Sequence, residues 1–97
     1  MLELVQYNPV QVIALLFTID TYDGWRVNQR PPAIGDTGIL IEILEGRGFP
    51  NKYVVESSDD EGFTIWLADF DAEELKPIDF AEYVSQRETR GTPSKRE

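Results

Sequence analysis

Between Ile34 and Ile78 the chain sets short apolar segments between glycines and acidic turns, and this punctuation leaves room for little but a small antiparallel sheet. Gly35-Asp36-Thr37-Gly38 brackets a tight entry into the segment Ile39 to Leu44. There Ile39, Ile41 and Ile43 share one face, the expected core face, while Leu40, Glu42 and Leu44 share the other. A loop from Glu45 to Asn51 leads to a second segment in which Tyr53 and Val55 oppose Val54 and Glu56. Ser57 to Gly62 reads as a hairpin turn, with Gly62 suited to a positive φ. Phe63, Ile65 and Leu67 then alternate with Thr64 and Trp66, which puts Trp66 off the expected core face. Ala68 to Glu74 is acidic and reads as containing one helical turn. Leu75 to Ile78 closes as a short strand, with Pro77 tolerable at an edge.

The flanks divide the chain further. Residues 1–9 read as an N-terminal arm. Val10 to Ile19 is nearly continuous in apolar side chains and rich in β-branched residues, so it reads as a strand, apolar from Val10 to Phe17 on both faces. Its second face then needs a cover, either the C-terminal segment or another subunit in a homodimer. Asp20 to Ala33 is a long connection holding the turn signal Asp23-Gly24 and the stiff pair Pro31-Pro32. Connections of this length are often functional or disordered. Residues 10–78 form the expected barrel. Residues 79–88 read as a short helix with Asp79 at the N-cap, Glu82 at the capping-box position and Phe80, Tyr83, Val84 and Arg87 on one face. Residues 89–97 combine Gly, Pro, Ser and charge and read as a disordered tail. The expected core comprises Val12, Ala14, Leu16, Ile39, Ile41, Ile43, Tyr53, Val55, Phe63, Ile65, Leu67, Leu75 and Ile78.

Ninety-seven residues make one domain. The absence of cysteine and histidine removes disulfides, thiolate and imidazole metal sites and any Cys or His catalytic apparatus. A small secreted domain more often carries disulfides, so the composition favours the cytoplasm. The first residues lack a basic stretch and a small-residue cleavage site, and no apolar run approaches the roughly 20 residues of a membrane span. The net charge of −9 is concentrated: residues 36–82 hold thirteen acids and three bases, whereas residues 83–97 hold two acids and four bases. Such a density of negative charge opposes nucleic acid and anionic membranes, and leaves a basic protein as the charged partner that it would favour. It also serves solubility.

Five strands, a long first connection and a short turn before the last strand describe an all-β, SH3-like small antiparallel barrel with a short C-terminal helix. The run Ile34-Gly35-Asp36-Thr37-Gly38-Ile39-Leu40-Ile41-Glu42-Ile43, the segment Tyr53-Val54-Val55-Glu56 and the ending Leu75-Lys76-Pro77-Ile78 resemble the bacterial family called domain of unknown function 4926. In that family a G-D-x-G-x-V entry, a Y-x-V-E-F strand and an L-x-P ending recur. The resemblance covers Val10 to Ile78. The stretch Tyr22 to Pro32 is longer than the family usually has, and the extension after Ile78 lies beyond it. The resemblance implies a fold and carries no catalytic residues.

Three groups of residues could carry function. The first is aromatic: Tyr22 and Trp25 in the long connection and Trp66 on the sheet, with Phe49 nearby in the next loop, are the residue types that anchor protein interfaces. The competing reading is a secondary core in which the tryptophans pack together or under the helix. The second is acidic: Asp59 and Asp60 with Glu61 at one turn, and Asp69 and Asp71 with Glu73 and Glu74 at another. Asp69-x-Asp71-x-Glu73 lacks the glycine and distal glutamate of a calcium loop, so no metal and no cofactor is expected. The third is basic: Arg26, Arg30, Arg47 and Lys52 are too scattered for a nucleic-acid surface. The expectation is therefore a non-enzymatic protein-interaction module, with Tyr22, Trp25 and Trp66 as contact residues and Asp59, Asp60, Asp69 and Asp71 setting the partner's charge. The alternative is an acidic immunity or antitoxin-type protein that neutralises a basic toxin.

Overall fold

A computed structural model describes residues 3–91. Five antiparallel strands form one sheet in the order β4-β3-β2-β1-β5. The strands are β1 (Pro9–Val12), β2 (Thr37–Gly46), β3 (Phe49–Ser58), β4 (Thr64–Phe70) and β5 (Leu75–Pro77). Short 3-10 turns cover Ile19–Asp23 and Ala72–Glu74, and a helix, α1 (Phe80–Gly91), follows β5. The ordering of the elements is the one expected. No pairing joins β4 to β5, so the sheet remains open.

β1 is shorter than its apolar run. Beyond Val12 the backbone turns to Glu74: the amides of Ile13 and Ala14 donate to its carbonyl, and that of Leu16 donates to its carboxylate. Ile13, Leu16 and Phe17 are left exposed, so the expected strand to Ile19 ends seven residues early. The second face of β1 meets α1 through Gln11, whose Nε2 donates to Gln86 Oε1 at 3.1 Å.

The core is Val10, Val12, Tyr22, Leu40, Val55, Trp66, Ala68, Phe70 and Leu75. The expected face of β4 is reversed, and that of β2 is reversed as far as its bulge. In β2, Leu40 faces Val55 while Glu42 faces Val54, so Ile41 is an extra residue in a bulge and the alternation breaks there. Leu40 points inward, with Ile43 beyond the bulge, and Ile39 shares the outer face with Glu56. In β4 the inward set is Trp66, Ala68 and Phe70 rather than Phe63, Ile65 and Leu67. Of the other expected core residues, Val12, Val55, Leu75 and Ile78 are buried, and Leu16 and Phe63 are exposed. The rest are half-buried.

Gly38 is required where β2 packs closely against its neighbour β3. A Cβ there would lie 2.6 Å from the Glu56 carbonyl oxygen, a distance that only displacement of backbone relieves. Asp79 caps α1 by accepting from the Glu82 amide at 2.7 Å. The helix runs to Gly91, so Thr89, Arg90 and Gly91 are helical rather than part of a disordered tail. The remainder of that tail, residues 92–97, lies outside the described residues. Phe80 and Val84 stay exposed on the helix. No helix among the described residues is long and apolar enough to cross a membrane.

Candidate functional site

Of the seven expected site residues, Trp66 and Tyr22 lie inside the molecule and Asp59 braces a turn. Trp66 is 0 % exposed, packed edge-on against Phe70 at 5.6 Å between ring centroids. Its indole Nε1 donates to Asp36 Oδ2 at 2.9 Å. Tyr22 is 1 % exposed and lies 5.5 Å from Phe70. Neither can be a contact residue. Both aromatics do what large rings with one polar atom do in a core: they bury their area and find a partner for the polar tip. At the β3–β4 turn, Asp59 Oδ1 accepts from the amides of Glu61 and Phe63, each at 2.9 Å, and Gly62 takes a positive φ of 89°. Asp59 therefore closes the hairpin, and Asp60 lies exposed at its tip.

Two buried carboxylates tie the long connection to the sheet. The Asp36 side chain accepts from Arg30 Nη1 at 2.7 Å, from Trp66 Nε1 and from the Ala33 amide at 3.0 Å. Burial alone would raise its pKa. The hydrogen bonds from Arg30, Trp66 and Ala33 and the guanidinium charge more than offset that, and hold the carboxyl below the usual range. Glu74 is 0 % exposed. Its carboxylate accepts from the Tyr22 hydroxyl, from the Leu16 amide at 2.9 Å and from the Asp71 amide at 2.8 Å. The last bond and the Asp71 side chain together form a capping box on the second 3-10 turn. Burial, and then the bond to Glu74, raise the Tyr22 hydroxyl above its ordinary pKa. Both carboxylates are occupied by internal donors and hold the connection in place. Asp36 was legible only as a turn residue and Glu74 only as one acid among several.

The connection also guards the sheet edge. The Gln29 amide donates to the Ile65 carbonyl at 2.8 Å, its side chain donates to the Thr64 carbonyl at 2.7 Å, and the Leu67 amide donates to Asn28 Oδ1 at 2.8 Å. Residues 28 and 29 thus stand in for a sixth strand along β4, satisfying groups that an open edge would offer to another chain.

The remaining expected residues meet on the outer face of β2–β4. Register places Glu42 opposite Val54 and Val54 opposite Asp69, and Leu44 opposite Lys52. Residues directly opposite share a face. Trp25 joins this face through its Nε1, which donates to Asp69 Oδ1 at 2.8 Å, and it remains 46 % exposed. Asp71, next along from Phe70, binds Lys52 Nζ at 2.5 Å. That ammonium also lies 5.1 Å from the centroid of the Phe17 ring. Three of the expected residues, Trp25, Asp69 and Asp71, are therefore gathered at one surface. Among the described residues, no group of three or more carboxylates converges as a metal site.

No family model matches the chain, and no curated protein or solved structure matches it.

Proposed function

We propose that this chain is a non-enzymatic protein-interaction module built on an SH3-like small barrel, with the outer face of β2–β4 as its contact surface. The observation that carries this reading is Trp25. An indole that is 46 % exposed, and oriented by a hydrogen bond to Asp69, is a preformed aromatic anchor that loses little freedom on binding. On the same face, Glu42, Glu56, Asp69 and Asp71 are set against Lys52, which is already paired. A partner with basic residues is the one that this field favours, and nucleic acid is disfavoured. The barrel reading is supported by the long connection that covers the β4 edge and by the 3-10 turn that precedes β5. The Gly35-Asp36-Thr37-Gly38 entry, where Gly35 has a φ of 99° and Gly38 touches β3, supports membership of the family called domain of unknown function 4926.

The test is binding of a purified partner to Trp25→Ala and Asp69→Asn variants. A loss of about tenfold or more with Trp25→Ala is expected for an aromatic anchor. The concentration of acids in residues 36–82 favours, as a second reading, an immunity-type protein that blocks a basic toxin. That reading demands an association rate that falls steeply with salt and with Asp→Asn changes, with Trp25→Ala mattering little.

A further inference from the structure

At the hairpin end of the outer face the surface is grooved. One open cleft of about 390 Å³ is lined by Leu44, Phe49, Pro50, Glu45, Lys52 and Asp71, with Gly46 between. A second, of about 350 Å³, shares Pro50 and Asp71 with it and continues past Tyr53 to Ala72 and Glu73. Phe49 is 77 % exposed, more than any other large apolar side chain of the described residues. An aromatic ring held in water on a β-hairpin, beside Leu44 and Pro50, is apolar area that a partner could cover.

The charges around the groove are not balanced. Lys52 is the one cation among the lining residues, and its ammonium is already bound to Asp71 and set over Phe17. The side chains of Glu45 and Glu73, one at each end, have no hydrogen-bond or salt-bridge partner among the described residues. An apolar floor between two unpaired carboxylates is complementary to an apolar side chain flanked by cations. A second copy of this chain, itself at −9, is a poor electrostatic match for the same groove.

We propose that the groove between the β2–β3 hairpin and the second 3-10 turn binds a short cationic-apolar segment of a partner protein, with an apolar side chain against Phe49 and lysine or arginine residues at Glu45 and Glu73. This rests on the reading of the outer face as a contact surface, and it names the place on that face and the chemistry of the partner.

The probe is a blocked hexapeptide of alternating lysine and leucine, titrated into the full-length isotopically labelled protein while backbone amide shifts are followed. Saturable shifts are expected at residues 44–52 and 71–73. Affinity should fall about tenfold for Phe49→Ala and several-fold for the Glu45→Gln/Glu73→Gln pair. A lysine–glycine peptide and a glutamate–leucine peptide should bind at least tenfold more weakly. Equal affinity of the lysine–glycine peptide would reduce the effect to charge and overturn the groove. Shifts centred on Trp25 and Asp69 instead would overturn the groove while leaving the contact face standing. No saturable binding up to millimolar peptide would overturn the proposed partner chemistry. Shifts at residues 44–52 that appear on concentrating the protein alone would assign the groove to a second copy, and would overturn it as well.

Discussion

Asp36 shows how much one carboxylate can hold. It fixes the entry of β2 through the Ala33 amide, orients Trp66 at the centre of the core, and anchors the long connection through Arg30. Asp36→Ala would strand the indole N–H in the interior, where an unpartnered donor is costly. The expected loss is about 2–4 kcal/mol, measured by denaturant unfolding. Asp36→Asn tests the charge. The folded-state pKa of Asp36 lies below its unfolded value, so its contribution is complete above about pH 4 and fades as pH falls through the folded value. Wild-type stability should therefore drop more steeply than that of Asp36→Asn below about pH 4. Tyr22 works at the other end of the scale. Its raised pKa means that stability is kept below about pH 10 and lost as pH rises past it, a loss that Tyr22→Phe would not show. Tyr22→Phe itself should cost about 1–3 kcal/mol, because it removes one donor from buried Glu74 and an acceptor from the Phe17 amide.

The close approach of β2 to β3 depends on Gly38. Gly38→Ala should cost about 1–3 kcal/mol or more, read as a lowered denaturation midpoint, because the added methyl meets the Glu56 backbone as well as the buried Val55 side chain. This position shows what the sequence made legible. Glycines, acidic turns and the Asp79 cap marked the turns, strand count and C-terminal helix in the right places. Face assignment failed where the period of two was interrupted. The bulge at Ile41 shifts the register within one run of isoleucines and leucines, and nothing in that run marks the extra residue. β4 is apolar on both faces, so Phe63/Ile65/Leu67 and Trp66/Ala68/Phe70 compete on equal terms. What selects the second set is the Asp36 partner for the Trp66 indole, thirty residues away in the chain. The same long-range bond hid the burial of Trp66. Tyr22 and Trp66 resembled anchors by residue type, while of these three expected contact aromatics only Trp25 lies on the surface. The end of β1 at Val12 had the same kind of cause, since the hydrogen bonds to Glu74 that turn the chain there join positions far apart in sequence. The helix offers an independent check. Deleting residues 79–97 removes the Gln11–Gln86 contact and uncovers the outer side of β1, and should lower the melting temperature or promote self-association. An unchanged, monomeric truncation would contradict a covering role for α1.

At the scale of the molecule, three features act together: an open sheet with its β4 edge masked by residues 28 and 29, a core cross-braced by Asp36 and Glu74, and an outer face on which Trp25 stands among carboxylates. The braces hold the long connection rigid, and the connection positions Trp25. Binding should therefore be sensitive to Trp25 without much change in stability, within about 1 kcal/mol for an exposed side chain away from the core. The measurement that tests this most directly is the affinity of a partner purified from the native host for wild type, Trp25→Ala and Asp69→Asn, at low and high salt, with unfolding curves for each protein. Trp25→Ala should weaken binding about tenfold or more while unfolding almost as wild type does, with a smaller, salt-dependent loss for Asp69→Asn. Wild-type affinity in Trp25→Ala at both salt concentrations would contradict a contact role for Trp25.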